Sequence, residues 1–157
     1  MKNIFFDLFI IGGGINGAGI ARDAAGRGLK VCLAEKGEIG GATSSWSTKL
    51  IHGGLRYLEN YDFKLVRESL KEREVIHSIA PTITKPIPFI IPHSKKHRPA
   101  WLIKLGLFFY DNLAGKSVIP KSRSVNLSKE FNNILENVYS KGFLYYDIQV
   151  DDKLLTQ

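Results

Sequence analysis

Three glycines constrain this chain more than any other feature. Gly12, Gly14 and Gly17 stand in the order G-x-G-x-x-G within the stretch IIGGGINGAG. The apolar run Phe5 to Ile11, rich in Ile and Phe, precedes them, and an Ala-rich stretch from Ile15 to Ala25 follows. The apolar run predicts a strand buried on both faces, as in a parallel sheet. The Ala-rich stretch predicts a helix, closed by Gly26 and Gly28. Lys30 to Ala34 predicts a second short strand. Strand, turn, helix and strand within 35 residues form a βαβ unit, so the expected fold class is α/β with parallel strands.

Each position in the turn has a physical task. Gly12 permits the tight turn, Gly14 lets the backbone approach a diphosphate, and Gly17 lets the helix pack closely on the strand. The helix start then presents free N–H groups and a partial positive charge to an anion. Asn16 lies inside the same turn and is counted with it. The second strand ends in Glu35, 18 residues past Gly17, where a carboxylate accepts hydrogen bonds from a ribose and repels a 2′-phosphate. A purely structural βαβ turn would not need these features together. The turn alone does not separate FAD from NAD, because both present an ADP half to it.

The chain has 157 residues, enough for one domain with a sizeable core. Lys and Arg outnumber Asp and Glu by 22 to 15. That surplus suits nucleic acid, an anionic membrane surface or an anionic substrate without choosing among them. The single Cys32 excludes an internal disulfide and any cysteine-cluster metal site. No apolar run approaches the ~18 residues of a spanning helix. Asp7 interrupts the apolar start and no small-residue cleavage site follows, so the start reads as a strand rather than a leader. Of His52, His77, His93 and His97, none has metal-site spacing, and no metal is expected.

The segment from Gly37 to Lys49 is rich in Gly, Ser and Thr and predicts a loop. Thr43, Ser44, Ser45, Ser47 and Thr48 supply hydroxyls, and His52, Gly53 and Gly54 follow closely. Composition alone leaves this stretch between a polar surface loop and a wrapping for the rest of a dinucleotide. A resemblance adds to it. DLFIIGGGINGAGIARDAAGRGLKVCLAEK, GATSSWSTKLIHGGLRYLE, REVIHSIAP, RPAWLIKLGLFFYD and YYDIQVDD resemble FAD-dependent, quinone-linked glycerol-3-phosphate dehydrogenases. These belong to the flavoprotein superfamily that includes D-amino-acid oxidase. The resemblance covers nearly the whole chain and the N-terminal portion of that family; Ser117 to Asn137 is less distinctive.

The resemblance implies a Rossmann-like FAD-binding core and FAD as cofactor, held by Gly12, Gly14, Asn16, Gly17, Glu35, Thr43, Ser44, Ser47 and His52. It implies glycerol 3-phosphate as substrate, with Arg56 and Tyr57 at the substrate end of the flavin. Arg56 suits a phosphate because its planar fork donates paired hydrogen bonds. Read from residues alone, Arg56 would be a surface ion pair and Tyr57 a core aromatic. No catalytic residue is assigned. The implied organisation is an FAD-binding unit over residues 5–36, a flavin and substrate loop over 37–58, and helical and extended segments over 59–157. The resemblance also implies quinone as electron acceptor, a cytoplasmic location on the inner membrane face, and further parts of the enzyme beyond residue 157. The chain alone is therefore expected to be inactive, a truncated product or one piece of a split enzyme with a separate C-terminal piece. A related oxidase that reduces oxygen, and a non-catalytic nucleotide-binding or membrane-associated fragment, remain open.

Downstream, Asp62 to Ala80 predicts a helix with Phe63, Val66, Leu70 and Ile76 near one face, stopped by Pro81. Pro86 to Pro92 predicts an edge strand or extended segment. Pro99 opens a further helix that Gly115 ends. Ser117 to Asn133 reads as irregular or partly helical, Gly142 to Tyr146 as a strand, and Asp151 and Asp152 as helix N-caps. Lys95, Lys96, Arg98 and Lys104 lie beside Trp101, Leu102, Leu105, Phe108 and Phe109. Basic residues next to an aromatic and aliphatic face suit a helix in a membrane interface. The plainer alternative is a core helix with a solvated basic entry. No nucleic-acid motif accompanies the patch, so no nucleic-acid partner is expected.

Overall fold

The computed structural model describes residues 4–94, 96, 98–131 and 139–157. The chain forms two compact bodies. The first joins Met1–Lys49 with Val150–Gln157, and the second is Leu50–Gln149.

In the first body, β1 (Leu8–Ile11) and β2 (Val31–Ala34) flank α1 (Ile15–Gly26). The strands pair in parallel, with Leu8 opposite Val31 and Ile11 opposite Ala34. The expected βαβ unit is present. Asp7 anchors the start of the pair, since its carboxylate accepts the Lys30 N–H at 2.8 Å. Gly28 turns the chain out of the helix at φ 87°. A short helix, α5 (Asp152–Thr156), completes this body; Asp151 caps it by accepting the Leu154 N–H at 3.0 Å. Asp152 is not a second cap. Its carboxylate is turned to Ser47 and Lys49 instead.

The first strand is not buried on both faces. Ile10 is buried, but its neighbours Phe9 and Ile11 are 58% and 86% exposed. Successive strand residues face opposite ways, and only the Ile10 side meets the glycine turn, where a Cβ on Gly17 would stand 3.4 Å from Ile10 Cγ2. A sheet of two strands leaves the other side open within this body.

The second body holds β3 (Leu50–Ile51), a 3-10 segment Leu55–Asn60, α2 (Phe63–Ile79), β4 (Thr84–His93), α3 (Ala100–Asn112), β5 (Arg123–Asn126), α4 (Leu127–Glu130) and all but the last residue of β6 (Lys141–Val150). The sheet order is β3-β6-β4, with β5 also paired to β6. β4 is an edge strand, consistent with Pro86, Pro88 and Pro92 in its length. α2 buries Val66, Leu70 and Arg73, one every three or four residues. Pro99 precedes α3, where a missing N–H costs nothing. Val66, Leu70 and Tyr110 form one core, packed by Leu55, Leu58, Leu113 and Tyr145. Val125, Leu127 and Leu144 form a second.

The segment expected to be irregular or partly helical contains the short helix α4 and also a strand. β5 runs antiparallel to β6, with Arg123 opposite Leu144 and Asn126 opposite Lys141. Its sequence, RSVN, has one apolar residue, and that one, Val125, is buried. A single inward side chain gives no alternation to read; the pairing with β6 makes the strand. Asn132 and Asn133, at the end of the same expected segment, lie outside the described residues. β6 extends well beyond the expected Gly142 to Tyr146.

Gly17 and Gly19 separate the turn's requirement from helix propensity. A Cβ on Gly17 would lie 2.0 Å from the Gly12 carbonyl oxygen, whereas Gly19 has no atom within 4 Å. Gly19→Ala is expected to stabilise the chain by up to about 1 kcal/mol, the usual Gly-to-Ala gain inside a helix. Gly17→Ala is expected to destabilise by at least ~2 kcal/mol through backbone displacement. Urea unfolding of both variants measures the difference.

Candidate active site: a dinucleotide turn and a separate polar segment

The turn is closed by its own backbone. Gly12 adopts φ 103° and donates its N–H to Ala34 O at 2.8 Å. The Gly13 N–H reaches Glu35 Oε2 at 2.7 Å, and the Gly37 N–H reaches Oε1 at 3.0 Å. These backbone donors, Gly13 first, hold the Glu35 carboxyl below its ordinary range. Glu35 is therefore an ionised acceptor at the end of β2. Each oxygen has further lone pairs beyond the one bond it makes.

The loop that follows is folded onto the turn. The Gly40 N–H donates to Gly13 O at 2.8 Å, and the Ser45 hydroxyl donates to Gly40 O. Thr43 to Ser45 forms one 3-10 turn. The Ile15 N–H, first in α1, donates to Ser44 Oγ at 2.9 Å. The helix start is thus less open than the sequence suggests, because Glu35 and Ser44 each occupy one backbone donor. Gly14, Asn16 and Gly17 keep N–H groups with no protein partner among the described residues. The Ser44 hydroxyl proton has no acceptor among them either.

Ser47 has a different place. It donates to Asp152 Oδ2 at 2.8 Å and accepts the Lys49 N–H at 2.9 Å. Lys49 Nζ stands 2.7 Å from Asp152 Oδ1. Lys49 and then Ser47 hold the Asp152 carboxyl down, to about 2. These bonds tie the end of the loop to α5. Gly40 is close to the same helix, since a Cβ there would lie 3.0 Å from Thr156 Cβ.

Of the residues singled out by sequence, Gly12, Gly14, Asn16, Gly17, Glu35, Thr43, Ser44 and Ser47 lie in the first body. His52, Arg56 and Tyr57 lie in the second. His52, Arg56 and Tyr57 are exposed, and the Tyr57 N–H donates to Gly54 O at 2.8 Å. Sequence reasoning missed a buried cluster in that second body. Tyr110 accepts the Gly53 N–H at 2.7 Å and donates to Asp147 Oδ1 at 2.7 Å. Arg73 Nη1 reaches the same oxygen at 2.8 Å. Burial pushes both the Tyr110 hydroxyl and the Asp147 carboxyl up, while Tyr110 and Arg73 pull Asp147 back down. The three residues come from α2, α3 and β6 with no local motif. Tyr110 amid an apolar helix and Asp147 amid an apolar strand were the only signals.

Three features of the turn fit FAD. The turn closes only with glycine at position 17, backbone donors remain at Gly14, Asn16 and Gly17, and an ionised acid stands at the end of β2. An ADP group needs these donors for its diphosphate and that acceptor for its ribose. Among known families, the one described as FAD dependent oxidoreductase matches residues 7–157. The chain belongs to that family. Its cofactor is FAD, and the α/β fold with parallel strands is the one its structural neighbours share.

The chain is 59% identical over 151 residues to the D-erythritol 1-phosphate dehydrogenase of Brucella abortus, covering 95% of this chain and 30% of that protein. It is 53% identical over 150 residues to the glycerol-3-phosphate dehydrogenase of Pseudomonas tolaasii, covering 96% and 29%. Among solved structures, the glycerol-3-phosphate dehydrogenase of Bacillus halodurans complexed with FAD aligns with a TM-score of 0.62 at 30% identity, covering 96% of this chain and 23% of that one. The chain thus spans less than a third of the length of these relatives.

The Asp152 tie has a pH signature. Its carboxyl is lower in the folded chain than the ordinary 3.8, at about 2. The stability it adds is full above the unfolded value and is lost as pH falls through the folded one. Asp152→Asn should abolish the part of the stability loss that falls between about pH 4 and pH 2. Unfolding temperature against pH for both proteins measures this; parallel curves across that window would exclude the assignment.

Proposed function

We propose that this chain supplies the FAD-binding turn and part of the substrate site of a polyol-phosphate dehydrogenase. Glycerol 3-phosphate is its substrate, dihydroxyacetone phosphate its product, and a quinone the final electron acceptor. The observation that carries this reading is the similarity, at more than half identical residues over nearly the whole chain, to enzymes named for polyol phosphates. Residues 5–36 serve as the FAD-binding unit, 37–58 as the flavin and substrate loop, and 59–157 as its support, with the remainder of the enzyme supplied by further polypeptide. The exposed Phe9 and Ile11 beside a two-stranded sheet support that last point.

In this reading Gly14, Asn16 and Gly17 donate backbone hydrogen bonds to the diphosphate, and Ser44 and Thr43 add hydroxyls. Gly12 makes the turn, and Glu35 accepts from the ribose. Ser47 holds the loop to Asp152 and keeps Ser44 at the helix start. His52 lies beside the flavin, Arg56 forks onto the substrate phosphate, and Tyr57 bounds the substrate. When bound, FAD would supply the hydride acceptor for oxidation of the carbinol carbon. The base that takes the hydroxyl proton is not assigned to this chain. The higher identity to the erythritol enzyme favours a second reading in which the substrate is a four-carbon polyol phosphate.

Flavin bleaching without air, in the FAD-loaded full-length protein, separates the readings. Glycerol 3-phosphate should bleach it faster than D-erythritol 1-phosphate; the reverse order selects the second reading, and bleaching by neither sinks both. Reoxidation by a quinone analogue rather than oxygen tests the acceptor. Glu35→Ala should weaken FAD binding about 10- to 100-fold, the usual effect of losing hydrogen bonds to a charged group. Retention of FAD through dialysis at the original affinity would remove Glu35 from the site.

The same reading includes docking on the inner, cytoplasmic face of a membrane. α3 buries Leu107 and Tyr110 while Trp101 and Phe108 are 65% and 61% exposed, with Leu102 and Leu105 beside them. Lys96 and Lys104 are exposed. Lys95 and His97 lie outside the described residues. Arg98 is paired with Glu59 at 2.7 Å, so its charge is partly answered within the protein. No helix among the described residues is long and apolar enough to cross a membrane. Each lysine near an anionic surface contributes about 1 kcal/mol. Lys96→Gln with Lys104→Gln should therefore lower binding to phosphatidylglycerol vesicles roughly 10- to 30-fold at low salt. Vesicle cosedimentation measures it, and unchanged binding would exclude this face.

A further inference from the structure

Besides the packing of Leu55 and Leu58 on the core, the segment that carries His52, Arg56 and Tyr57 is tied down through one backbone group. Gly53 lies so close to α2 and α3 that a Cβ there would stand 2.3 Å from Leu70 Cδ2 and 2.9 Å from Tyr110 Cε2. Its N–H points to the Tyr110 hydroxyl at 2.7 Å. Gly54 follows at φ 70°, and a Cβ on it would fall 2.4 Å from the Tyr57 ring. The ring of Tyr57 is therefore packed against the backbone that Tyr110 holds. A hydroxyl has one proton, and that of Tyr110 goes to Asp147 Oδ1. This leaves its lone pairs to accept from Gly53.

The orientation of that hydroxyl is fixed in turn. Asp147 accepts Arg73 Nη1 at 2.8 Å, Arg73 Nη2 stands 3.2 Å from Glu74 Oε1, and the Arg73 guanidinium lies 5.6 Å from the Tyr110 ring centroid. Arg73 and Asp147 are both at least nine-tenths buried. If only stability were at stake, an apolar core would serve as well as a buried ion pair. Here the pair aims a single acceptor at a single loop amide.

We propose that Tyr110, oriented by Asp147 and Arg73, is a positioning residue that sets the pose of the segment from His52 to Tyr57 for its polyol-phosphate ligand. The proposal rests on the functional reading above for the identity of that ligand. Arg56 and Tyr57 stand three and four residues beyond the anchored amide, and the 3-10 turn that carries them starts at Leu55. Loss of the Tyr110 hydroxyl removes the acceptor for Gly53 while leaving the ring in the core.

The test uses the full-length FAD-loaded protein with two readouts. One is hydrogen exchange of the peptide spanning residues 52–57. The other is the dissociation constant of glycerol 3-phosphate, read under conditions without turnover or from the flavin absorbance shift with a non-reacting phosphate analogue. Tyr110→Phe is expected to raise both by about tenfold, the effect of one lost hydrogen bond of ordinary strength. Asp147→Asn, which weakens the acceptor for the hydroxyl and leaves the buried Arg73 guanidinium without its counter-charge, should shift both in the same direction. Val125→Ala is the control: it empties space in the other core, lowers the unfolding temperature, and should leave both readouts within about twofold because it touches no part of this chain of bonds. Unchanged exchange in both Tyr110→Phe and Asp147→Asn would overturn the proposal. So would equal effects in Val125→Ala, or raised exchange with unchanged ligand affinity. If the unmodified protein fails to bind glycerol 3-phosphate or its analogue, the functional reading fails, and the exchange comparison still decides whether Tyr110 positions the segment.

Discussion

The first body depends on the absence of one side chain. The Gly17 backbone lies so near the Gly12 carbonyl that no Cβ fits between them. That approach lets α1 begin directly under the turn and brings Gly13 to the Glu35 carboxylate at the end of the neighbouring strand. Strand pairing, helix start and acidic residue are thereby set by one steric condition. Because two backbone donors at the turn are already answered by Glu35 and Ser44, the three that remain define a narrower anion cradle than a bare helix end offers.

Much of this body was legible in the sequence, because its features are local. Glycine spacing, an Ala-rich helix and short apolar strands report on neighbours within a few residues. What could not be read was closure at long range. Asp152 looks like a cap by its position after β6, yet its partners are Ser47 and Lys49, over a hundred residues earlier. Burial of the strand faces was also misjudged. An apolar run shows that a strand can be buried, while the number of layers around it decides whether it is.

The second body was legible in its helices and much less so elsewhere. Val66, Leu70 and Tyr110 occupy helical positions with ordinary apolar spacing. β5 carries too few apolar residues to announce itself and exists because β6 offers it a partner. The Arg73, Asp147 and Tyr110 cluster draws one residue from each of three elements. Sequence order gives no hint of such a meeting, although a tyrosine and an aspartate inside otherwise apolar elements mark where a buried polar contact must be found. The dinucleotide turn belongs to one body, and His52, Arg56 and Tyr57 belong to the other.

The first body is discontinuous in the chain, with residues 1–49 completed by residues 150–157. Its last bonds, from Ser47 and Lys49 to Asp152, close a loop of roughly a hundred residues, a costly step in chain entropy. During synthesis the glycine turn leaves the ribosome early, while the helix that completes its surroundings comes much later. At the usual ~5–20 residues per second, the nascent turn waits several seconds or more for that helix. Through that interval its exposed strand is an open template for another chain. The order of translation therefore leaves the turn without its long-range ties until residues 150–157 have been made.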